Sequence, residues 1–122
     1  MIQHIKPGPR LSGAVVHNGI VYVSGQVPVT PYADVPTQTR EILAKIDKML
    51  QEAGSDKRQI LNASIWLSDI VTFEQMNTAW DAWIAPGPAP ARATVEARIA
   101  NPQWRVEIAV IAAVSAVRAK QP

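Results

Sequence analysis

The segment that decides the fold is 91-ARATVEARIANPQWRVEIAVIAAV-114, near the end of a chain of 122 residues. Residues 91–99 and 105–108 alternate polar and apolar side chains, which is typical of half-buried strands. From residue 109 onward the segment is apolar on both faces, which indicates a strand that is covered on both sides. The short connection at Ala100-Asn101-Pro102 predicts that strands 91–99 and 105–114 form an antiparallel hairpin.

A turn between Ala100 and Asn101 gives this hairpin a specific register. Glu96 then faces Arg105, whereas a slip of two residues in one direction sets like charges opposite each other. A slip in the other direction meets no such repulsion, so the register is favoured rather than fixed. In the favoured register Arg92 and Glu107 are diagonal neighbours, about 7 Å apart at Cα. One face of the hairpin is predicted to carry Arg92, Thr94, Glu96, Arg98, Arg105 and Glu107.

The rest of the chain predicts two helices and three further segments of strand. Asn18-Gly19 joins apolar runs at 14–16 and 20–24, and this pair is typical of a tight hairpin turn. Apolar residues recur at helical spacing over 36–53 and 72–84, and the segment 60–68 alternates as a strand does. The order β-β-α-β-α-β-β indicates one α+β domain over residues 1–122, with two helices on one face of a mixed sheet.

The helix ends are predicted from their flanking residues. Asp34 can cap the first helix and Gly54 can end it, because an Asp oxygen accepts from free amides and glycine adopts positive φ without strain. A capping box formed by Thr72 and Gln75 is predicted to open the second helix, and Pro86 is expected to end it.

Composition excludes several classes of function. No apolar run reaches the roughly 20 residues that span a bilayer, and the N-terminus lacks a signal-peptide pattern, so we expect a cytoplasmic protein without membrane contact. The chain has no cysteine, and His4 and His17 lie far apart, so no metal site is expected. The net charge is only +2 and the basic residues are dispersed, which argues against binding of nucleic acid.

Arg92 is the residue most suggestive of a site. It follows the stiff run 86-PGPAP-90, and its guanidinium is a planar fork that can bind a carboxylate through two parallel hydrogen bonds. The same pattern also fits an ordinary cross-strand ion pair between Arg92 and Glu107. The strand at 105–114 is apolar on both faces, and helices can cover only one, so its other face is expected to pack against another subunit.

Five segments resemble the YjgF/Rid family, to which RidA-like imine deaminases belong. The similarity covers nearly the whole chain, and its motifs are specific as a set although each alone is weak. The segments that carry it are 18-NGIVYVSGQVP-28, 60-ILNASIWLSD-69, 73-FEQMN-77, 90-PARATVE-96 and 106-VEIAVIAA-113.

The resemblance implies a chorismate-mutase-like α+β fold, a homotrimer, and sites in the clefts between subunits. It implies that the protein deaminates 2-imino and enamine acids to 2-keto acids and ammonia without a cofactor. Arg92 would bind the substrate carboxylate, and Glu107 would activate or position the hydrolytic water. The substrate pocket would further include Ser24, Gly25, Asn77, Thr94 and Arg10.

The sequence departs from the RidA branch at two positions. Arg10 replaces a tyrosine, and it either adds a second cation to the pocket or faces solvent. Thr94 replaces a cysteine that serves mainly through its backbone. The chain looks closer to a sister branch that keeps the arginine. Three alternatives remain: a non-catalytic trimer that binds small carboxylates in a regulatory role, an RNA-directed protein, and, by fold analogy alone, a chorismate mutase.

Overall fold

The computed structural model describes residues 1–115, in which two helices pack on one face of a six-stranded mixed sheet. The strands run in the spatial order β1-β2-β3-β6-β4-β5, and every neighbouring pair is antiparallel except β4 and β5. The predicted α+β architecture is confirmed. The predicted domain extends to residue 122, and residues 116–122 lie outside the described part. The elements are β1 Gln3–Pro7, β2 Ser12–His17, β3 Ile20–Gln26, α1 Val35–Ala53, β4 Ile60–Leu67, α2 Phe73–Ile84, β5 Ala91–Glu96 and β6 Val106–Ala113.

The N-terminal strand β1 was not expected from the sequence. It pairs with β2 at the edge of the sheet, and Ile5 is its one buried residue, so its side chains give almost no alternating signal. The chain therefore contains one strand before the predicted order begins.

The predicted turn of the first hairpin and the predicted ends of the first helix are confirmed. Asn18 and Gly19 both have positive φ, at 52° and 76°, as a tight turn between β2 and β3 requires. The Asp34 side chain accepts a hydrogen bond from the Thr37 amide at 2.8 Å, and Gly54 ends α1 in the left-handed conformation.

The predicted hairpin between the last two strands is wrong. Strand β4 lies between β5 and β6: it pairs Ala63 with Arg92 in parallel and Ile65 with Ile108 in antiparallel orientation. Segment 97–105 makes a turn in which Asn101 Oδ1 accepts a hydrogen bond from the Gln103 amide. Pro102 has no backbone N–H and so cannot donate a hydrogen bond to a neighbouring strand. The supposed Glu96–Arg105 pair is also absent from residues 1–115, because Glu96 accepts from the Ile70 amide instead.

Helix α2 begins differently from the prediction. A short 3-10 turn, Ile70–Thr72, precedes it, and the Asp69 carboxylate accepts from the Val71 amide. Thr72 makes no side-chain cap bond to α2, so the predicted capping box does not form.

The core lies between the helices and one face of the sheet. Side chains of β3, β4 and β6 that point to this face are buried, among them Val21, Ile65 and Ile108. The other face is uncovered in the single chain, and it carries small and apolar side chains in the middle of the sheet: Ile20, Tyr22, Ser64, Trp66, Ala93, Val95, Ala109, Ile111 and Ala113. Within residues 1–115 no helix combines the length and apolar character needed to cross a membrane.

Candidate functional site

Arg92 points from β5 toward helix α2, where two aromatic rings hold its guanidinium. The guanidinium carbon lies 5.7 Å from the ring centre of Phe73 and 5.2 Å from that of Trp80. Such stacking restrains the side chain while leaving its N–H groups available in the ring plane. Among residues 1–115 no hydrogen bond or ion pair of the Arg92 side chain is found, so its donor fork is free to bind an anion. Phe73 and Trp80 lie seven residues apart on one face of the predicted helix 72–84, and this spacing could have indicated an arginine platform from the sequence.

Asn77 and Thr94 lie on the same side of the sheet as Arg92. Asn77 stands between Phe73 and Trp80 on one stripe of α2, and Thr94 follows Arg92 by two residues on β5. Their oxygens Asn77 Oδ1 and Thr94 Oγ1 are buried and have no hydrogen-bond partner in the structure. We call the group formed by Phe73, Asn77, Trp80, Arg92 and Thr94 the arginine crevice.

Glu107 and Gly25 form a second group on the uncovered face of the sheet. A bulge interrupts the pairing of β3 with β6 between Val23 and Gln26, and it brings the Gly25 backbone against the Glu107 carboxylate. A Cβ at position 25 would overlap Glu107 Oε2, so glycine is required for this close approach. Burial raises the pKa of the Glu107 carboxyl, because the charged form is partly removed from water.

Ser24 and Arg10 belong to the same end of the sheet as Glu107. Ser24 Oγ donates to the Gly13 carbonyl at 3.0 Å and accepts from Gln26 Nε2 at 3.3 Å, so its hydroxyl fixes the bulge. Arg10 is exposed in the turn between β1 and β2, and that turn lies beside the end of β3 that carries the bulge. We call Ser24, Gly25 and Glu107 the carboxylate group.

The predicted neighbourhood of Arg92 and Glu107 is wrong. Arg92 shares the helix-covered face with Ala63, whereas Glu107 pairs with Trp66 on the opposite face. The error follows from the false hairpin register, since inserting β4 between the strands separates the two residues by a strand and a sheet face. The structure thus assembles Asn77, Arg92 and Thr94 in one place and Ser24, Gly25 and Glu107 in another.

Gln38 was not predicted as important, and it holds the chain beside the carboxylate group. It is fully buried, and its Nε2 donates to the carbonyls of Thr30 (3.0 Å) and Gln103 (3.1 Å). Its Oε1 accepts from the Arg105 amide at 2.7 Å, two residues before Glu107. This one side chain therefore joins the loops that follow β3 and precede β6.

Two further features bear on where a ligand binds. A cavity of about 770 Å³ lies under segment 97–105 and is lined by Arg98, Trp104 and neighbouring residues. It is wide open to solvent and includes neither Arg92 nor Glu107, so we place the site at the two groups that carry free polar functions. No cluster of three or more potential metal ligands occurs within residues 1–115.

Replacing Gly25 by alanine is expected to displace the Glu107 carboxylate while leaving the fold intact. The three atoms nearest to the new Cβ all belong to the flexible Glu107 side chain, so the free energy of unfolding should change by less than about 1 kcal/mol. Any activity that depends on the position of Glu107 should fall by about tenfold or more. Urea unfolding measures the first effect, and the rate of turnover measures the second. Equal activity of Gly25→Ala and wild type would contradict the placement of Glu107 at the site.

The family described as Endoribonuclease L-PSP matches residues 1–114 of the chain. A RutC family protein of Haemophilus ducreyi is 44% identical over 94% of this chain and 98% of its own length. The RutC family protein YoaB of Escherichia coli K12 is 46% identical over 93% of this chain and 98% of its own length.

Solved structures agree with these relatives. A member of the YjgF protein family from Neisseria meningitidis has 46% identity and a TM-score of 0.91, over 94% of this chain and 96% of that one. A protein of the Rid family from Yersinia pestis, YyfA, has 31% identity and a TM-score of 0.88, over 93% of this chain and 100% of that one.

Proposed function

Because the chain belongs to the YjgF/Rid family, which is also described as endoribonuclease L-PSP, we propose that it hydrolyses reactive 2-imino acids and their enamine tautomers to 2-keto acids and ammonia. Family membership supports imine and enamine deamination at the level of the family. The observation that carries the proposal for this chain is Arg92, a guanidinium fork held between two rings and free of any protein partner in residues 1–115. Such a fork fits the carboxylate that every 2-imino acid bears.

The proposed active site contains residues of two subunits. Arg92 and Glu107 lie on opposite faces of one sheet, so a single chain cannot apply both to one small substrate. A second copy packed on the uncovered face would bring its edge strand and arginine crevice toward the carboxylate group of the first. We propose a closed homotrimer, in which each contact between neighbours forms one site and the apolar side chains of the uncovered face are buried.

The reaction needs few groups because the carbon of a protonated imine is already electrophilic. Arg92 would bind the carboxylate and fix the position of that carbon. Glu107 of the neighbouring copy would accept a proton from water, or only orient it, as the water oxygen bonds to the carbon and the C–N π electrons move to nitrogen. Transfer of a proton to the nitrogen allows the C–N bond to break as the hydroxyl oxygen forms the C=O bond and loses its proton, which releases ammonia and the 2-keto acid. No cofactor enters this scheme, and the proposed partners are small acids and further copies of the chain.

Small acids are favoured over RNA as the substrate, although the family description names an endoribonuclease. The net charge of +2 is dispersed, and binding to a phosphate backbone usually needs clustered cations. RNA binding that falls steeply with salt concentration would reverse this preference.

The test is the rate of 2-keto acid release from 2-imino acids generated in the assay, with the uncatalysed rate subtracted. We expect wild type to accelerate release, and the acid limb of its pH profile to lie above pH 4.5, the ordinary pKa of Glu107. The sign follows from the chemistry: only the ionised carboxylate accepts a proton, so activity is lost as pH falls through the raised pKa. Glu107→Gln should be slow at every pH and show no such limb.

A stability measurement separates this loss of activity from unfolding. Since the pKa of Glu107 is raised in the folded protein, its stabilising contribution is present at low pH and is lost as pH rises through that pKa. The uncharged Glu107→Gln variant should consequently be at least as stable as wild type at neutral pH. No acceleration by wild type with small, apolar or acidic imines would refute the deaminase proposal and favour a carboxylate-binding trimer.

A further inference from the structure

The arginine crevice contains two buried acceptors that its arginine does not use. Asn77 Oδ1 and Thr94 Oγ1 have no hydrogen-bond partner, and an unpaired buried polar atom is costly. Both lie on the side of the sheet that carries the guanidinium: Asn77 is on the helix stripe between the rings that contact Arg92, and the Thr94 Cα is about 7 Å along the strand from the Arg92 Cα. If a ligand's carboxylate binds Arg92, the atoms adjacent to that carboxylate are the ones that would approach these two oxygens.

The orientation of the Asn77 amide is fixed by its neighbour on the helix. Asn77 Nδ2 donates to Glu74 Oε1 at 3.3 Å, so a flipped amide would set two oxygens against each other. Oδ1 consequently faces inward and can only accept. The Thr94 hydroxyl can accept or donate.

We propose that Asn77 and Thr94 make the crevice selective for carboxylates that carry a hydrogen-bond donor on the adjacent carbon. This inference rests on the proposed function and adds a preference of the site for substrate over product. A protonated 2-imino acid carries N–H donors at that position, whereas the 2-keto acid product carries only an acceptor, which Asn77 Oδ1 repels. The crevice thereby holds the substrate more tightly than the product. Thr94 acts through its side chain here, in contrast to the backbone role that the resemblance implies for its position.

Three stable carboxylates of equal charge and nearly equal size test the selectivity: lactate, pyruvate and propanoate. Calorimetric titration of wild type should show that lactate, as its tighter enantiomer, binds about tenfold more tightly than propanoate, the effect of a satisfied hydrogen bond. Lactate should also bind more tightly than pyruvate, because pyruvate offers Asn77 Oδ1 no donor.

Variants assign the effect to each oxygen. Thr94→Val removes the hydroxyl at constant shape and should bring lactate and propanoate within about twofold of each other, while Thr94→Ser should restore the difference. Asn77→Ala should remove the preference for lactate over pyruvate. Thr78→Val, an exposed threonine on the same helix as Asn77, is the control and should retain both preferences.

The outcomes separate this inference from the proposed function. If wild type binds all three acids equally and Arg92→Ala binds none, the carboxylate fork stands and the selectivity is refuted. If Thr94→Val alters the mass of the assembly but not the ratio of affinities, the hydroxyl serves the subunit contact and the inference is equally refuted. Absence of binding by wild type overturns both the selectivity and the fork.

Discussion

Replacing Arg92 by alanine is expected to lower kcat/KM for 2-imino acids by about 100-fold or more. A bidentate guanidinium–carboxylate pair consists of two charge-assisted hydrogen bonds of about 1.5–3 kcal/mol each, and 100-fold corresponds to about 2.7 kcal/mol. Arg92→Lys should recover only part of this, because an ammonium cannot form the parallel pair or stack between Phe73 and Trp80 in the same way. Arg98→Ala is the matched control, since Arg98 is exposed and follows the same strand. Activity of Arg92→Ala within twofold of wild type would refute the role of the fork.

The same variant tests whether each site contains two subunits. Arg92→Ala and Glu107→Gln should each be inactive as pure proteins, but unfolding and refolding them together should restore activity. If subunits of a trimer mix at random, about one site in four combines an intact arginine with an intact glutamate of its neighbour, so about a quarter of wild-type activity is expected. Refolding each variant alone is the control. Mixtures that stay inactive, although mass measurements show mixed trimers, would contradict the two-subunit site.

Replacing Gln38 by leucine is expected to destabilise the fold by about 3–5 kcal/mol. Leucine has a similar size but leaves the Thr30 and Gln103 carbonyls and the Arg105 amide without their partner. Each buried unpaired group costs about 1–3 kcal/mol, and part of that cost is relieved where water enters. A loss of this size is a large fraction of the 5–15 kcal/mol that stabilises an ordinary domain.

Urea unfolding measures this effect, and Gln51→Leu is its control because Gln51 is exposed on the same helix. The control should change stability by less than about 0.5 kcal/mol. Gln38→Glu should destabilise at neutral pH at least as much as Gln38→Leu, since it retains an acceptor for the Arg105 amide but sets a buried carboxylate against both carbonyls. A loss below about 1 kcal/mol for Gln38→Leu would show that the two loops hold together without it.

The features that could be predicted from the sequence are local ones. Asn18-Gly19 requires positive φ at two successive residues, and few other backbone paths satisfy that requirement. Asp34 and Gly54 mark the ends of α1 through hydrogen bonds within a few residues of each cap. Alternation predicts one face of β4 with Leu61, Ala63, Ile65 and Leu67. The last three are buried, whereas Leu61 is exposed because a bulge interrupts the pairing with β6 between Ile60 and Asn62.

Strand order could not be predicted in this way. The choice between β6 pairing with β5 and β6 pairing with β4 depends on contacts across the whole chain, and alternation within β5 and β6 is the same in both arrangements. Arg92 and Glu107 came from the sequence pattern, and the other candidate residues came from the resemblance to a family. The expected proximity of Arg92 and Glu107 within one chain came from the false register and was wrong. The role of Gln38 was not predicted, because glutamine on a helix is usually exposed. Its burial follows only from its bonds to Thr30, Gln103 and Arg105, which lie outside its helix.

If the proposed two-subunit site is right, the placement of Arg92 and Glu107 on opposite faces of one sheet makes activity depend on the concentration of the chain. An isolated chain would have no complete site, because it could not apply both residues to one substrate. Turnover per chain would then not be a constant of the protein: it would decline on dilution as the assembly dissociates, and would recover on concentration. The amount of protein that a cell makes would set both the number of catalysts and the fraction of chains able to act as one.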